Sequence, residues 1–299
     1  MYGVNFENPW VLGVDRAGKR VPAWAAALGS SVFAALILFT VQLTGPTFYT
    51  LFTGAAQGAP KGWDVALALD ALQVMAFAPF IVVAAAGMKI EGRRVRGAPG
   101  GGALWSLVGL IVGLAGFGLS VALAWGLGAV EPGAEAALAP IAVSLVLGLV
   151  IVGFQALAEE VFFRAWLQPL LSVQWGPWVG LVVTSILFAG LHNILQRPGF
   201  LANINLFLGG MLFGLLALRS GGLAAPAAAH FAWNWTEAGG LGLDPPPTGG
   251  LISLHLKGPS LWSGGVDTMN GSLATTLVLL ALVFGLIVAR RFVPKASGG

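Results

Sequence analysis

The sequence predicts an all-α integral membrane protein, a single bundle of about eight transmembrane helices. Three observations carry this reading. The 299 residues are 57% hydrophobic and only 9% charged, whereas soluble domains run near a quarter charged. The apolar residues fall into long runs, most of them near the roughly 20 residues that a helix needs to cross a bilayer. The basic residues lie almost entirely on one side of those runs. The absence of cysteine removes disulfides, thiolate metal sites and cysteine nucleophiles. A net charge of +3 is too small to argue for nucleic acid as a partner and reports membrane topology instead.

The segment 1–23 lacks a short basic region leading directly into a short apolar core with a cleavage site, so it is not a signal peptide and the first span is retained. The bundle then occupies 24–291, and 292–299 is a C-terminal tail. Spans are expected at 24–44, 65–87, 104–128, 140–171, 178–196, 203–218, 223–239 and 272–289. Arg16, Lys19 and Arg20 precede the first span, and Lys89, Arg93, Arg94 and Arg96 lie between the second and third. Arg164, Arg219, Arg290, Arg291 and Lys295 fall on the same side; Lys61, Arg197 and Lys257 fall on the other. The positive-inside rule puts both termini in the cytoplasm, in agreement with an even number of spans, and the plasma (inner) membrane is the expected location. The loop 89–102, "KIEGRRVRGAPGGG", is basic and glycine-rich, suited to anionic lipid. Within the long Gly- and Pro-rich segment 239–271, "LISLHLK" alternates apolar and polar residues as a short strand does, and His255 there reads as solvated.

Charges at bilayer depth are functional candidates, since each costs at least about 2.5 kcal/mol. In "LAEEVFFRAWL" (157–167) Glu160 and Arg164 are four residues apart and face each other on a helix. Glu159 lies about 100° away around that helix and is left free by the pair. "FAGLH" places Phe188 and His192 one turn apart, and "HFAWN" does the same for His230 and Asn234. At ~1.5 Å per residue, Glu159, His192, His230 and Asn234 all lie ~10–21 Å from the cytoplasmic ends of their spans. They meet only if the fourth helix runs through the glutamates to about residue 171. Asp70 is also inside a span, as a packing group or as part of a cavity lining. No HExxH, Walker loop or dinucleotide fingerprint is present.

These residues resemble the CPBP intramembrane proteases, the CAAX-processing and bacteriocin-processing (Abi) family that includes the type II CAAX prenyl endopeptidase. The family pattern of EExxxR, FxxxH and HxxxN is matched in order by Glu159-Glu160 with Arg164, Phe188 with His192, and His230 with Asn234, within 159–234. The resemblance implies an intramembrane endopeptidase acting on a membrane-associated peptide or protein. In it Glu159 would be general base on a water, His192 would help position that water, and His230 and Asn234 would donate to the oxyanion. Glu160, Arg164 and Phe188 would support them. Glu159, His192 and His230 also make up a two-histidine, one-carboxylate zinc set. Asn234 suits an oxyanion donor and is an unusual zinc ligand, so the metal-free form is favoured. Two other classes stay open: a non-catalytic scaffold or immunity protein within a membrane complex, and an ion-coupled transporter using the polar cluster.

Overall fold

A computed structural model describes residues 22–55, 58, 62–90, 102–133, 138–243 and 250–289. The tail 292–299 and most of the segment 1–23 and of the loop 89–102 lie outside them, as does the side of the membrane on which the termini lie.

Each of the eight expected spans is a helix. α1 is Ala23–Thr53, α2 Gly62–Ile90 and α3 Gly102–Gly126. Strand β1, Val130–Pro132, leads to α4, Leu138–Glu160. A π-helical stretch, Val161–Leu167, then joins α4 to α5, Gln168–Trp175. Pro177–Leu195 is α6, Phe200–Ser220 is α7 and Ala224–Trp235 is α8, extended by a π turn at Thr236–Gly240. Strand β2, Leu254–Leu256, the short α9, Ser260–Ser263, and a 3₁₀ segment, Gly265–Gly271, precede α10, Leu273–Val288. Among the described residues six helices are long and apolar enough to cross a membrane: α1, α2, α3, α6, α7 and the 265–288 stretch ending in α10. The chain is thus an all-α, multi-pass membrane protein. The helices bearing the glutamate pair and His230 are not among the six; α8, at 12 residues, is shorter than a full crossing needs.

α7 is the most enclosed of the six, with 67% of its apolar window buried against 22% in α2. In lipid, helices associate through small residues that let backbones approach, and three such contacts organise this bundle. A Cβ added at Gly109 or Gly113 of α3 would lie 2.2 Å from Ala225 O or 2.3 Å from Ala229 O, both on α8. One at Gly210 of α7 would lie 2.9 Å from Ser185 Cα of α6. One at Gly87 of α2 would meet the Trp166 indole at 2.4 Å. Close packing is expected of Gly209, Gly210 and Gly214. Gly210 and Gly214 show it, but the nearest neighbour at Gly209 is Phe213 of its own helix, 3.9 Å away.

Outside the spans β1 and β2 pair antiparallel, Glu131 opposite His255. The strand expected in "LISLHLK" is therefore present and His255 is exposed. Lys257 Nζ donates to Glu131, and that hydrogen bond, with the lysine's charge, holds the Glu131 carboxyl below its ordinary range.

Candidate active site

The helix that begins at Leu138 does not stop at the glutamates. Glu160 has helical dihedrals (φ −66°, ψ −34°) and the chain continues through the π stretch to Trp175. Short π stretches inside α-helices are frequent at functional sites. Glu159 and Glu160 are 1% and 0% exposed, so both carboxylates are inside the bundle, as the depth argument requires. Being neighbours on a helix, they point about 100° apart and meet different helices.

Glu160 faces two cation-forming groups. Arg164 Nε lies 3.3 Å from Glu160 Oε2, and both side chains are fully buried. The contact is an ion pair without hydrogen-bond alignment. The guanidinium is held by other means as well: Nη2 donates to Gly210 O at 2.9 Å. The rings of Phe163, Phe188 and Phe213 surround it at 5.1–5.8 Å. One turn on, Gln168 Nε2 donates to Gly214 O at 3.1 Å, so the glycines of α7 expose two carbonyls to this helix. The second group is His230, whose Nδ1 is 2.9 Å from Glu160 Oε1. Its ring stacks on Phe213, with centroids 4.6 Å apart and planes within 15°.

Glu159 has a different partner. His192 Nε2 lies 3.9 Å from its Oε2, too far for a direct hydrogen bond and a span that a water can bridge. That oxygen is buried with no hydrogen-bond partner. The other oxygen, Oε1, accepts from Gln155 Nε2 at 3.1 Å. The His192 tautomer follows from its own contact: Nδ1 is 2.8 Å from Phe188 O. A carbonyl only accepts, so Nδ1 carries the hydrogen and Nε2 of the neutral ring turns a lone pair towards Glu159. The His192 side chain is 17% exposed, against 1% for Glu159 and 4% for His230, so the cluster is least enclosed along the His192 edge. Phe188 joins the two halves: its ring contacts Arg164, His192, Phe213 and His230, and its carbonyl orients His192.

The structure therefore brings Glu159, Glu160, Arg164, Phe188, His192 and His230 together, from α4 and its π continuation, α6 and α8. Asn234 is half-buried one turn beyond His230 on α8. Among the described residues no three His, Asp or Glu side chains are grouped closely enough to hold a metal ion. The two histidines are divided between the two carboxylates, His192 facing Glu159 and His230 turning Nδ1 to Glu160. The half-buried Asp70 takes no part in these contacts, and its Oδ2 is buried without a hydrogen-bond partner.

Two features escaped sequence reasoning. Gln155 stands four residues before Glu159, a spacing that was there to be read. A further buried carboxylate, Glu237, accepts from Thr268 Oγ1 at 2.5 Å and from Asn270 Nδ2. Trp233 Nε1 donates to Asn270 Oδ1 at 3.2 Å. Asn205 of α7 donates to Asn270 O and Ser272 O and accepts from Thr276 Oγ1. This network ties α7 and the end of α8 to the segment leading into α10. No short sequence spacing announces it.

A family model described as Type II CAAX prenyl endopeptidase Rce1-like matches residues 140–236, the stretch that supplies every residue of the cluster. An uncharacterized 24.3 kDa protein of Escherichia coli is 35% identical over 89 residues, 29% of this chain. The match spans 38% of that relative's length. No solved structure matches.

Proposed function

We propose that this membrane protein, whose residues 140–236 match the type II CAAX prenyl endopeptidase Rce1-like model, is an intramembrane endopeptidase that hydrolyses a membrane-associated protein or peptide with water activated by Glu159. The observation that carries the reading is the gap between Glu159 Oε2 and His192 Nε2, 3.9 Å wide, with two acceptors facing each other across it. A water placed there donates one hydrogen to each and turns its lone pair outward, towards a scissile carbonyl. As the C–O bond forms, Glu159 takes the water's proton; as the C–N bond breaks, it returns that proton to the leaving amine.

The developing oxyanion needs donors preorganised in a water-poor site. His230 Nε2 and Asn234 Nδ2 take that role. Because His230 Nδ1 is engaged by Glu160, an N–H at Nε2 requires one more proton on the Glu160–His230 pair. Arg164 lies against Glu160, and Glu160 against His230, so the pair holds the His230 ring in place. The division of the two histidines between two carboxylates supports a metal-free reading, and no step is routed through a metal.

The test is purified protein on a panel of membrane-anchored peptides, wild type against Glu159→Gln. The amide keeps the shape and is no base, so cleavage should fall by at least about 10²-fold while the melting temperature holds. Equal cleavage by Glu159→Gln would end the glutamate mechanism. A wild-type protein that cleaves nothing on the panel would favour a scaffold.

A further inference from the structure

We infer that Gln155 is a positioning residue for the water-activating carboxylate, dedicating one oxygen of Glu159 to the water by holding the other. The inference rests on the reading of Glu159 as general base. The two oxygens of Glu159 have unequal surroundings. Oε1 accepts from Gln155 Nε2 at 3.1 Å, whereas Oε2 is buried, unpartnered and turned to His192 Nε2. The terminal torsion of a glutamate is broad and two-fold, so an unrestrained carboxylate samples orientations that point neither oxygen at the His192 gap. A single N–H on Oε1 removes that freedom. A carboxylate only accepts, so the amide face towards it is the NH₂.

The placement in the chain fits a positioning role. Gln155 and Glu159 both lie in the regular α4 segment, before the π stretch begins. Their four-residue spacing is therefore ordinary helix geometry, where such side-chain pairs meet. Gln155 is half-buried in a stretch, 139–156, whose other polar residue is Ser144. An amide there is costly unless it is hydrogen-bonded, and the bond that the structure shows for it is to the reacting carboxylate. Within the cluster, Arg164 and His230 serve Glu160; Gln155 does the corresponding work for Glu159.

The experiment uses the full chain in detergent with a membrane-anchored peptide that the wild type cleaves. Gln155→Met keeps the length of the side chain and removes the donor. Gln155→Asn keeps an amide and withdraws it by one methylene. Both should lower kcat about tenfold, the scale expected when a reacting group is misaligned by less than 1 Å, with KM within twofold of wild type. In a Glu159→Gln background neither should lower residual turnover further, since both act through the same carboxylate. A purely structural glutamine would instead lower the melting temperature or change KM and spare kcat. Should Gln155→Met fail to fold, Gln155→Asn carries the comparison. Wild-type kcat in a folded Gln155 variant overturns this inference and leaves the glutamate mechanism standing. Full activity of Glu159→Gln overturns both.

Discussion

Replacing Gly113 by alanine tests whether the glycine contacts of α3 set the position of His230. A Cβ at this residue would lie 2.3 Å from Ala229 O, 2.7 Å from Ala232 Cβ and 3.0 Å from Trp233 N. Real Cβ atoms essentially never approach closer than 3.0 Å. The nearest atom is backbone, so no side-chain rotation relieves the contact and α3 and α8 must separate by about 0.7 Å to bring 2.3 Å up to 3.0 Å. Overpacking of this kind costs about 1–3 kcal/mol. His230 follows Ala229 directly, and its 2.9 Å contact with Glu160 has little room for such a shift. Turnover should therefore fall by up to about 10²-fold, as a misplacement approaching 1 Å does. Gly118→Ala on the same helix is the control, because a Cβ there meets nothing within 4 Å. Thermal unfolding of the two variants in detergent, followed by peptide hydrolysis, separates them. Equal melting temperatures for Gly113→Ala and Gly118→Ala would show that the α3–α8 contact yields freely and that the reasoning is wrong.

Arg164→Met should destabilise the protein by about 3–5 kcal/mol, since it strands a buried carboxylate. Arg164→Lys should recover little, because an ammonium cannot serve Glu160 and the Gly210 carbonyl in the same planar fork; a lysine variant melting with wild type would contradict this. At the connecting strands, Lys257 holds the Glu131 carboxyl below its ordinary range. Its support for the β1–β2 pair is thus present above a pH of about 4 and lost as pH falls through the lowered value. Exchange protection of the Leu254–Leu256 amides should drop in acid, and Lys257→Met should remove that dependence; an unchanged pH response in Lys257→Met would count against it. Chelators should leave hydrolysis intact and elemental analysis should find no stoichiometric zinc. About one zinc per chain, lost in His192→Ala, would instead favour a metal mechanism.

Much of this architecture can be read from periodicity and spacing. The ends of α3, α6, α7 and α10 fall within three residues of the expected spans because apolar runs are bounded by Gly, Pro and charge. α1 runs nine residues further than expected, to Thr53, through the Gly- and Pro-containing "GPTFYTLFT". Along this helix Thr40, Thr44, Thr50 and Thr53 return their hydroxyls to carbonyls one turn back, and Pro46 is tolerated within the helix. The Glu160–Arg164 pair was legible because it is local. Which histidine serves which glutamate was not, since that depends on the helices packed on each side of α4. The choice of Gly109, Gly113 and Gly210 among 44 glycines was hidden for the same reason.

The network around Glu237 and Asn205 gives the molecule a timetable. Both residues lie in or beside the family-matched core, yet the partners described for them, Thr268, Asn270, Ser272 and Thr276, belong to a stretch the ribosome makes later. An amide and a carboxylate buried without partners are poorly tolerated in an apolar interior. The residues of the cluster are therefore synthesised before the segment that completes their support. A chain made as far as α8 already carries the glutamates, His192 and His230, but the buried polar groups of α7 and the end of α8 gain these partners only when the segment leading into α10 has been added. Assembly of the centre is thus coupled to synthesis of α10, which lies downstream of every residue of the cluster.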